Sequence, residues 1–302
     1  ERTFRRKKDA EELSCGFEVY IKEVKYMKRI KLAVCAAALM AMMGFSSCLN
    51  GDVNTTQQLS LILKAETDYL GIETYFVDAY GIKYKPVSTT LINKESDFAV
   101  VPMQFDTSTF NAQTSSYDIT LLGEPSFLKG LRINGEASTV PDPQTLTAAL
   151  NLVDDGYTRG TVWGKNEYLI LPIIFPINKD VDLSDQTELK NELSKHHFNI
   201  TFDPEKMLSE DGDSLKLKLT YTVDGVDDAE EYAKTYTQTV ADTRYSYMYA
   251  SLNPVYGILD EDQQKKVKWI RMEFEDSKND KPTVKPEEKN IVARSYQLYQ
   301  EQ

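Results

Sequence analysis

The sequence has little of the side-chain chemistry on which most enzyme sites depend. Its 302 residues include three cysteines and two histidines. His196 and His197 are adjacent, so in a strand their side chains point to opposite faces. A zinc site or a catalytic triad would have to rely on one of them, and no serine lies in a G-x-S-x-G sequence. We predict a non-enzymatic protein with no metal and no cofactor, and keep open a hydrolase whose carboxylates come from distant segments.

Long apolar runs are also lacking. The longest, from Leu32 to Phe45, falls short of the ~20 residues that a bilayer-spanning helix needs. It follows basic residues at positions 28, 29 and 31 and leads through two serines into Cys48. This order resembles a bacterial lipoprotein signal with its lipobox. We predict that residues 27–47 are a signal peptide, that Cys48 is lipidated, and that residues 1–26 are a gene-start artefact.

The predicted processing leaves no thiol for a disulfide. Cys15 lies in residues 1–26 and Cys35 in the signal, so both would be removed, and Cys48 would carry the lipid. A chain of this length does not need a disulfide to build a core.

Positive charge is in deficit. The chain has a net charge of −12, and residues 1–47 carry 10 Lys and Arg against 6 Asp and Glu, so the remainder stands at −16. Such a surface repels phosphate backbones and anionic headgroups. We therefore exclude nucleic acid as a partner and expect the lipid at Cys48 to be the membrane contact. The protein is predicted to be exported and anchored in the cell envelope. No Asp directly follows Cys48, which favours the outer membrane and leaves its periplasmic or surface face open.

Alternating apolar and polar residues predict an all-β fold. Leu59 to Ala65 has apolar residues at odd positions, and Leu215 to Val223 places five apolar residues on one face. Asp211-Gly212 and Asp224-Gly225 flank the second segment as turns. We predict a tether at 48–57, a small OB-like barrel at 58–150 and an immunoglobulin-like β-sandwich at 151–302, with short helical insertions.

Three local features predict irregularities. Pro172 and Pro176 interrupt the apolar segment 169–177 and favour an edge strand or a buried extended segment. The alternation changes parity near Trp269, as a β-bulge would cause. Helices are predicted at Asp182–Ser194, capped by Ser184, and at Pro143–Leu152.

Aromatic residues supply the candidate ligand contacts. Tyr245, Tyr247 and Tyr249 alternate and would form one stripe on a strand, and Trp163 is one of only two tryptophans. Exposed, these side chains would stack on a sugar or grip a protein; buried, they would belong to the core. Acidic clusters at 210–213, 224–228 and 260–262 match no calcium-loop pattern and are interpreted as solvated turns.

Several short segments resemble the NigD-like lipoproteins of Bacteroidetes-type bacteria. They are Phe45–Cys48, Asp78–Pro86, Tyr117–Ile119, Gly164–Leu169 and His197–Ile200. The resemblance implies an OB-like N-terminal domain followed by a β-sandwich, and it brings no catalytic residues. It also implies a role in bacteriocin self-protection, as suggested for that family.

The favoured function is that of an envelope lipoprotein that binds a protein or a glycan. The alternatives are a structural or accessory subunit of a cell-surface assembly, or self-protection.

Overall fold

The computed structural model describes residues 55–87, 91–135, 147–154, 158–226, 228–239, 246–276 and 290–300. The predicted signal peptide, Cys48, residues 48–54 of the predicted tether, and Tyr245 lie outside these ranges. No helix in the described ranges is both long and apolar enough to cross a bilayer.

The first part of the described chain is a closed β-barrel. Its strands are β1 (Thr56–Thr67), β2 (Thr74–Val77), β3 (Lys83–Pro86), β4 (Phe98–Asp106), β5 (Ser116–Leu121) and β6 (Ser126–Phe127). The strand order is β1-β2-β3-β5-β4, β4 also pairs with β1, and β6 adds to β4. The closed five-stranded ring confirms the predicted barrel.

The length of β1 closes the barrel. Its first nine residues pair with β4, from Thr56 opposite Asp106 to Lys64 opposite Phe98, and its last four pair with β2. Leu61, Leu63 and Ala65 point into the barrel core, as the alternation predicts. Strand β1 therefore pairs with β2 at one end and with β4 at the other, and this closes the barrel.

The second part is a pair of five-stranded sheets. One has the order β10-β11-β16-β7 with β9 also on β11, and the other has the order β18-β17-β14-β13-β8. A further two-stranded ladder joins β12 to β15. The strands are β7 (Lys129–Leu131), β8 (Ile133–Gly135), β9 (Asn151–Leu152), β10 (Thr161–Trp163), β11 (Tyr168–Ile174), β12 (Pro176–Ile177), β13 (His196–Phe202), β14 (Ser214–Val223), β15 (Gln238–Thr239), β16 (Ser246–Ser251), β17 (Trp269–Glu275) and β18 (Ile291–Gln297).

One hydrophobic core lies between these two sheets. Leu169, Leu171 and Met248 from the first sheet and Leu217 and Met272 from the second belong to it. The inward residues of β14 are buried at every second position, which confirms the alternation seen in the sequence. The all-β prediction of a barrel followed by a sandwich of sheets is thus confirmed.

Of the two predictions for segment 169–177, the edge strand is wrong because β11 is central, and the buried extended segment is confirmed because Leu169 to Ile173 are all buried. It pairs with β16 on one side and with β10 and then β9 on the other. The carbonyl of Pro172 accepts a hydrogen bond from the Val153 N–H at 3.0 Å. Its ring nitrogen faces that same side, where the neighbour changes from β10 to β9. The lack of an N–H at Pro172 therefore removes no hydrogen bond from the pairing of β11 with β10 or with β9.

Strand β17 pairs with β18 in unbroken register from Trp269 to Glu275, so the predicted bulge does not lie within this ladder. Directly at the strand start, the N–H groups of Lys268 and Trp269 both donate to the Asp213 carbonyl, at 2.7 and 3.1 Å. The parity changes because a helix, α4 (Glu261–Lys266), ends at Val267 and the strand starts only at Trp269. Asp260 and Gln263 form a capping box that starts this helix.

The other helices are α1 (Gln186–Ser194), α2 (Ala229–Thr235) and α3 (Asn253–Tyr256). Helix α1 confirms the predicted helical insertion, but Asp185 caps it rather than Ser184. The predicted helix at 143–152 lies partly outside the described residues, and its described part contains β9 and isolated β-bridges.

The last barrel strand, β6, ends at Phe127, and the first strand of the sandwich, β7, begins at Lys129. Residues Thr55–Gln302 form one compact unit. The division into domains at 58–150 and 151–302 stays a prediction.

Candidate functional site

Three of the four predicted ligand residues, Trp163, Tyr247 and Tyr249, lie where the barrel meets the sandwich. Trp163 is 9% exposed, and its indole N–H has no hydrogen-bond partner in the described part of the chain. Tyr247 and Tyr249 are partly buried and pack with Trp163 around Phe98 and Leu128. This position matches the core alternative for the aromatic stripe. Their role in ligand binding stays a prediction.

Phe98 is the centre of this junction. Its ring centroid lies 5.2 Å from that of Trp163 and 5.0 Å from those of Tyr168 and Tyr249. The Tyr249 hydroxyl accepts a hydrogen bond from the Asp97 N–H at 3.2 Å. The barrel and the sandwich are therefore joined by interlocked aromatic rings, which stabilise beyond simple area burial.

A groove of about 740 Å³ lies beside two outer strands, β10 and β18. Its walls are Asp154, Arg159–Val162, Gly164 and Lys165 on one side, Trp269 and Arg294–Tyr299 on the other, and Ala79 and Tyr80 at the barrel end. Segments far apart in the sequence thus meet at one surface.

Two close contacts shape the groove. A Cβ on Gly160 would lie 2.3 Å from Cε1 of Tyr296, so only glycine lets this wall approach the tyrosine ring. The Asn166 side chain accepts from the Tyr299 N–H at 2.7 Å and donates to the Tyr299 carbonyl at 3.1 Å. Asn166 adopts a φ of 62°, which asparagine tolerates better than most residues. The chain after β18 is therefore fixed to the β10–β11 turn.

The groove combines exposed aromatic rings with positive charge. Tyr80, Trp269 and Tyr299 are 54%, 37% and 49% exposed. The charged lining residues are Arg159, Lys165, Arg294 and Asp154. Arg294 lies 4.0 Å from Asp154. The surface is thus locally basic in a chain whose net charge is −12. Such a groove can stack on flat apolar faces and pair with carboxylates.

A second cavity of about 530 Å³ lies on the barrel. Ile72, Val87 and Leu91 are exposed along it, and Lys83 and Lys85 supply two cations. The Lys83 ammonium lies 5.5 Å from the Tyr75 ring centroid. It is the smaller of these two candidates, and Asp68 and Glu73 also line it.

The two histidines have separate, structural positions. His197 is exposed and lies 2.8 Å from Asp224. His196 is fully buried, with Nδ1 2.7 Å from the Tyr221 hydroxyl and Nε2 3.4 Å from Oε1 of Glu192. Within the described ranges, no group of three or more His, Cys, Asp or Glu residues could hold a metal ion.

The buried cluster favours a neutral His196 and an ionised Glu192. Burial lowers the pKa of His196 below its usual 6.5, although Glu192 opposes this. Burial also acts to raise the pKa of Glu192. Hydrogen bonds from the Asn178 N–H, Lys195 and His196 outweigh that effect, so the net pKa is lowered. A neutral imidazole that donates from Nε2 to Glu192 accepts at Nδ1 from the Tyr221 hydroxyl, which lies 2.7 Å away and closer than that hydroxyl's other acceptor, the Pro176 carbonyl at 3.2 Å.

This cluster predicts that the protein loses stability as the pH falls below about 6.5. Because the pKa of His196 is lower in the folded state, the unfolded chain takes up the proton first as the pH falls below 6.5. The free energy of unfolding should decrease there by up to about 1.4 kcal/mol per pH unit. Urea unfolding of His196→Gln should show a shallower decrease than that of the wild type. Equal slopes in the two proteins would contradict this assignment.

Comparisons with known proteins give a fold and no activity. No protein-family model and no curated protein sequence matches the chain. Among solved structures, a putative lipoprotein from Bacteroides fragilis is 18% identical, with a TM-score of 0.62. The match covers 82% of this chain and 100% of that one. This likeness shows a shared fold.

Two further solved structures match over similar lengths. An uncharacterised protein from Parabacteroides merdae is 12% identical with a TM-score of 0.49, over 81% of this chain and 100% of that one. A NigD-like immunity protein from Bacteroides caccae is 11% identical with a TM-score of 0.43, over 82% and 94%. The fold shared with the Bacteroides fragilis protein is of the kind that the sequence resemblance implies, a barrel followed by sheets.

Proposed function

We propose that the protein is an exported lipoprotein, anchored through an acylated Cys48 in the outer membrane, that binds a protein or glycan partner without catalysis. Two observations support export and lipid anchoring. They are the signal-like sequence at 27–47 and the fold shared with a chain described as a putative lipoprotein. The groove beside β10 and β18 supports binding.

The composition of the groove carries this proposal. Exposed Tyr80, Trp269 and Tyr299 offer flat faces for sugar rings or apolar side chains, which is how binding hot spots gain affinity. Glycoside hydrolysis needs two carboxylates across the bond that is cleaved. Within the described residues, the groove lining supplies one, Asp154. The site thus suits recognition better than hydrolysis.

Removal of the aromatic and basic contacts should weaken binding. We expect Trp269→Ala and Arg159→Ala each to lower affinity about tenfold or more, since a central contact contributes about 1.4 kcal/mol or more. The measurement is binding of the purified protein to a glycan array and to a displayed peptide library, followed by titration of the best ligand.

Arg271→Ala is the matched control. Arg271 is the next outward-facing residue of β17 after Trp269, is exposed, and does not line the groove. Its replacement should leave the affinity unchanged. Retention of no ligand by the wild-type protein, or equal affinity in all variants, would contradict the proposal.

A further inference from the structure

Strand β18 ends its sheet with an unpaired backbone edge. The Leu298 N–H donates to the Lys268 carbonyl at 2.8 Å, and the Asp276 N–H donates to the Asn290 carbonyl at 2.9 Å. In an antiparallel ladder such pairs recur at every second residue. Even-numbered residues of β18 therefore face β17. Odd-numbered residues turn their N–H and C=O groups outward, and in the described part of the chain these groups have no partner: Ile291, Ala293, Ser295 and Gln297.

Within the described residues, this edge carries one charged side chain, Arg294, and otherwise few of the features that discourage strand pairing. Native edge strands are commonly short, bulged, or marked by Pro or Lys. Strand β18 has seven residues, IVARSYQ, without Pro or Lys, and its register with β17 is unbroken. The outward-facing side chains of the same four residues are exposed. The edge is thus a regular template for one more strand.

The charge of the adjoining groove selects the partner. Arg294 lies on β18 itself, and Arg159 and Lys165 lie on the facing wall. Asp154 is the single acidic lining residue in the described chain. Alternate side chains of an added strand point to one face about 7 Å apart. Acidic residues at every second position would therefore meet these cations.

We propose that the groove beside β18 binds an extended acidic peptide segment, which adds a strand to the sheet through the outward backbone groups of Ala293 and Ser295. This inference rests on the proposed binding function and names its partner class. A glycan would use the aromatic rings but has no N–H and C=O ladder to match the edge.

The test is a selection of random dodecapeptides displayed on phage against residues 49–302, which include the compact unit Thr55–Gln302. Enriched peptides should carry Asp or Glu at every second position. In anisotropy titrations of labelled synthetic peptides, Ser295→Pro should weaken binding about tenfold, because it removes an outward N–H and blocks the edge. Ser295→Thr keeps the N–H and should bind as wild type.

A second variant leaves the backbone intact. Arg294→Glu should lower the affinity for acidic peptides by at least tenfold. It should raise the affinity for the matched peptide in which each acidic residue is replaced by Lys. Arg271→Glu is the control on the neighbouring strand, outside the groove. Thermal unfolding checks that each variant is folded.

Three outcomes would overturn the inference. They are a selection without acidic enrichment, equal peptide affinity in wild type and both test variants, or self-association of the chain that Ser295→Pro abolishes. Glycan binding that is lost in Trp269→Ala but unchanged in Ser295→Pro would contradict strand addition. The same result would agree with the proposed function.

Discussion

Cys48→Ala should release the protein from the membrane fraction and abolish incorporation of an alkyne-labelled fatty acid. The acyl chains at Cys48 are the proposed anchor, and each buried methylene contributes about 0.8 kcal/mol to membrane binding. The acidic surface offers no electrostatic substitute, since residues beyond the signal are strongly negative. Loss of the lipid should therefore change the membrane-bound fraction from nearly all to nearly none.

Cys35→Ala is the matched control for this experiment. Cys35 lies within the apolar part of the signal and would be removed with it, so this variant should keep both the label and the membrane location. Label retained by Cys48→Ala, or lost from both variants, would refute Cys48 as the lipid site.

Phe98→Ala should lower the free energy of unfolding by about 3–5 kcal/mol. Phe98 is fully buried at the junction, where its ring meets Trp163, Tyr168 and Tyr249 at centroid distances of 5.0–5.2 Å. Its removal leaves a cavity among stiff aromatic rings, which collapse poorly around lost volume. Urea unfolding followed by tryptophan fluorescence measures the change, and the buried Trp163 contributes to this signal together with the exposed Trp269.

Phe110→Ala provides the control in the same barrel. Phe110 is 40% exposed, and among the aromatic rings of the described residues it packs against Tyr117, with centroids 4.9 Å apart. We expect a loss of about 1 kcal/mol or less. A similar loss in both variants would show that the junction does not stabilise the protein as described.

Local patterns predicted much of the fold. The alternation in β1 and β14 fixed which side chains are buried, because a strand with one solvent face has a period of two. Prediction failed where tertiary neighbours decide. Pro172 is acceptable in a central strand only because two separate strands, β10 and β9, meet beside it. The parity change near Trp269 reflects a helix end that the sequence pattern does not distinguish from a bulge.

The candidate site could not be predicted, because its parts are distant in sequence. Arg159, Trp269 and Arg294 come from three separate segments and meet only in the folded chain. The aromatic stripe that the sequence predicts contains Tyr247 and Tyr249, and these lie at the junction of barrel and sandwich instead of in the groove. One sequence feature does point to the groove. Trp269 starts a strand in which Ile270, Met272 and Phe274 are buried, so its own side chain lies on the opposite, exposed face.

Amide hydrogen exchange on the complex with the best selected ligand tests the central claim most directly. Binding in the groove predicts slower exchange at residues 159–165 and 293–299, with little change in the second cavity around Lys83 and Lys85. Protection confined to the barrel cavity, or none in either groove wall, would contradict the account.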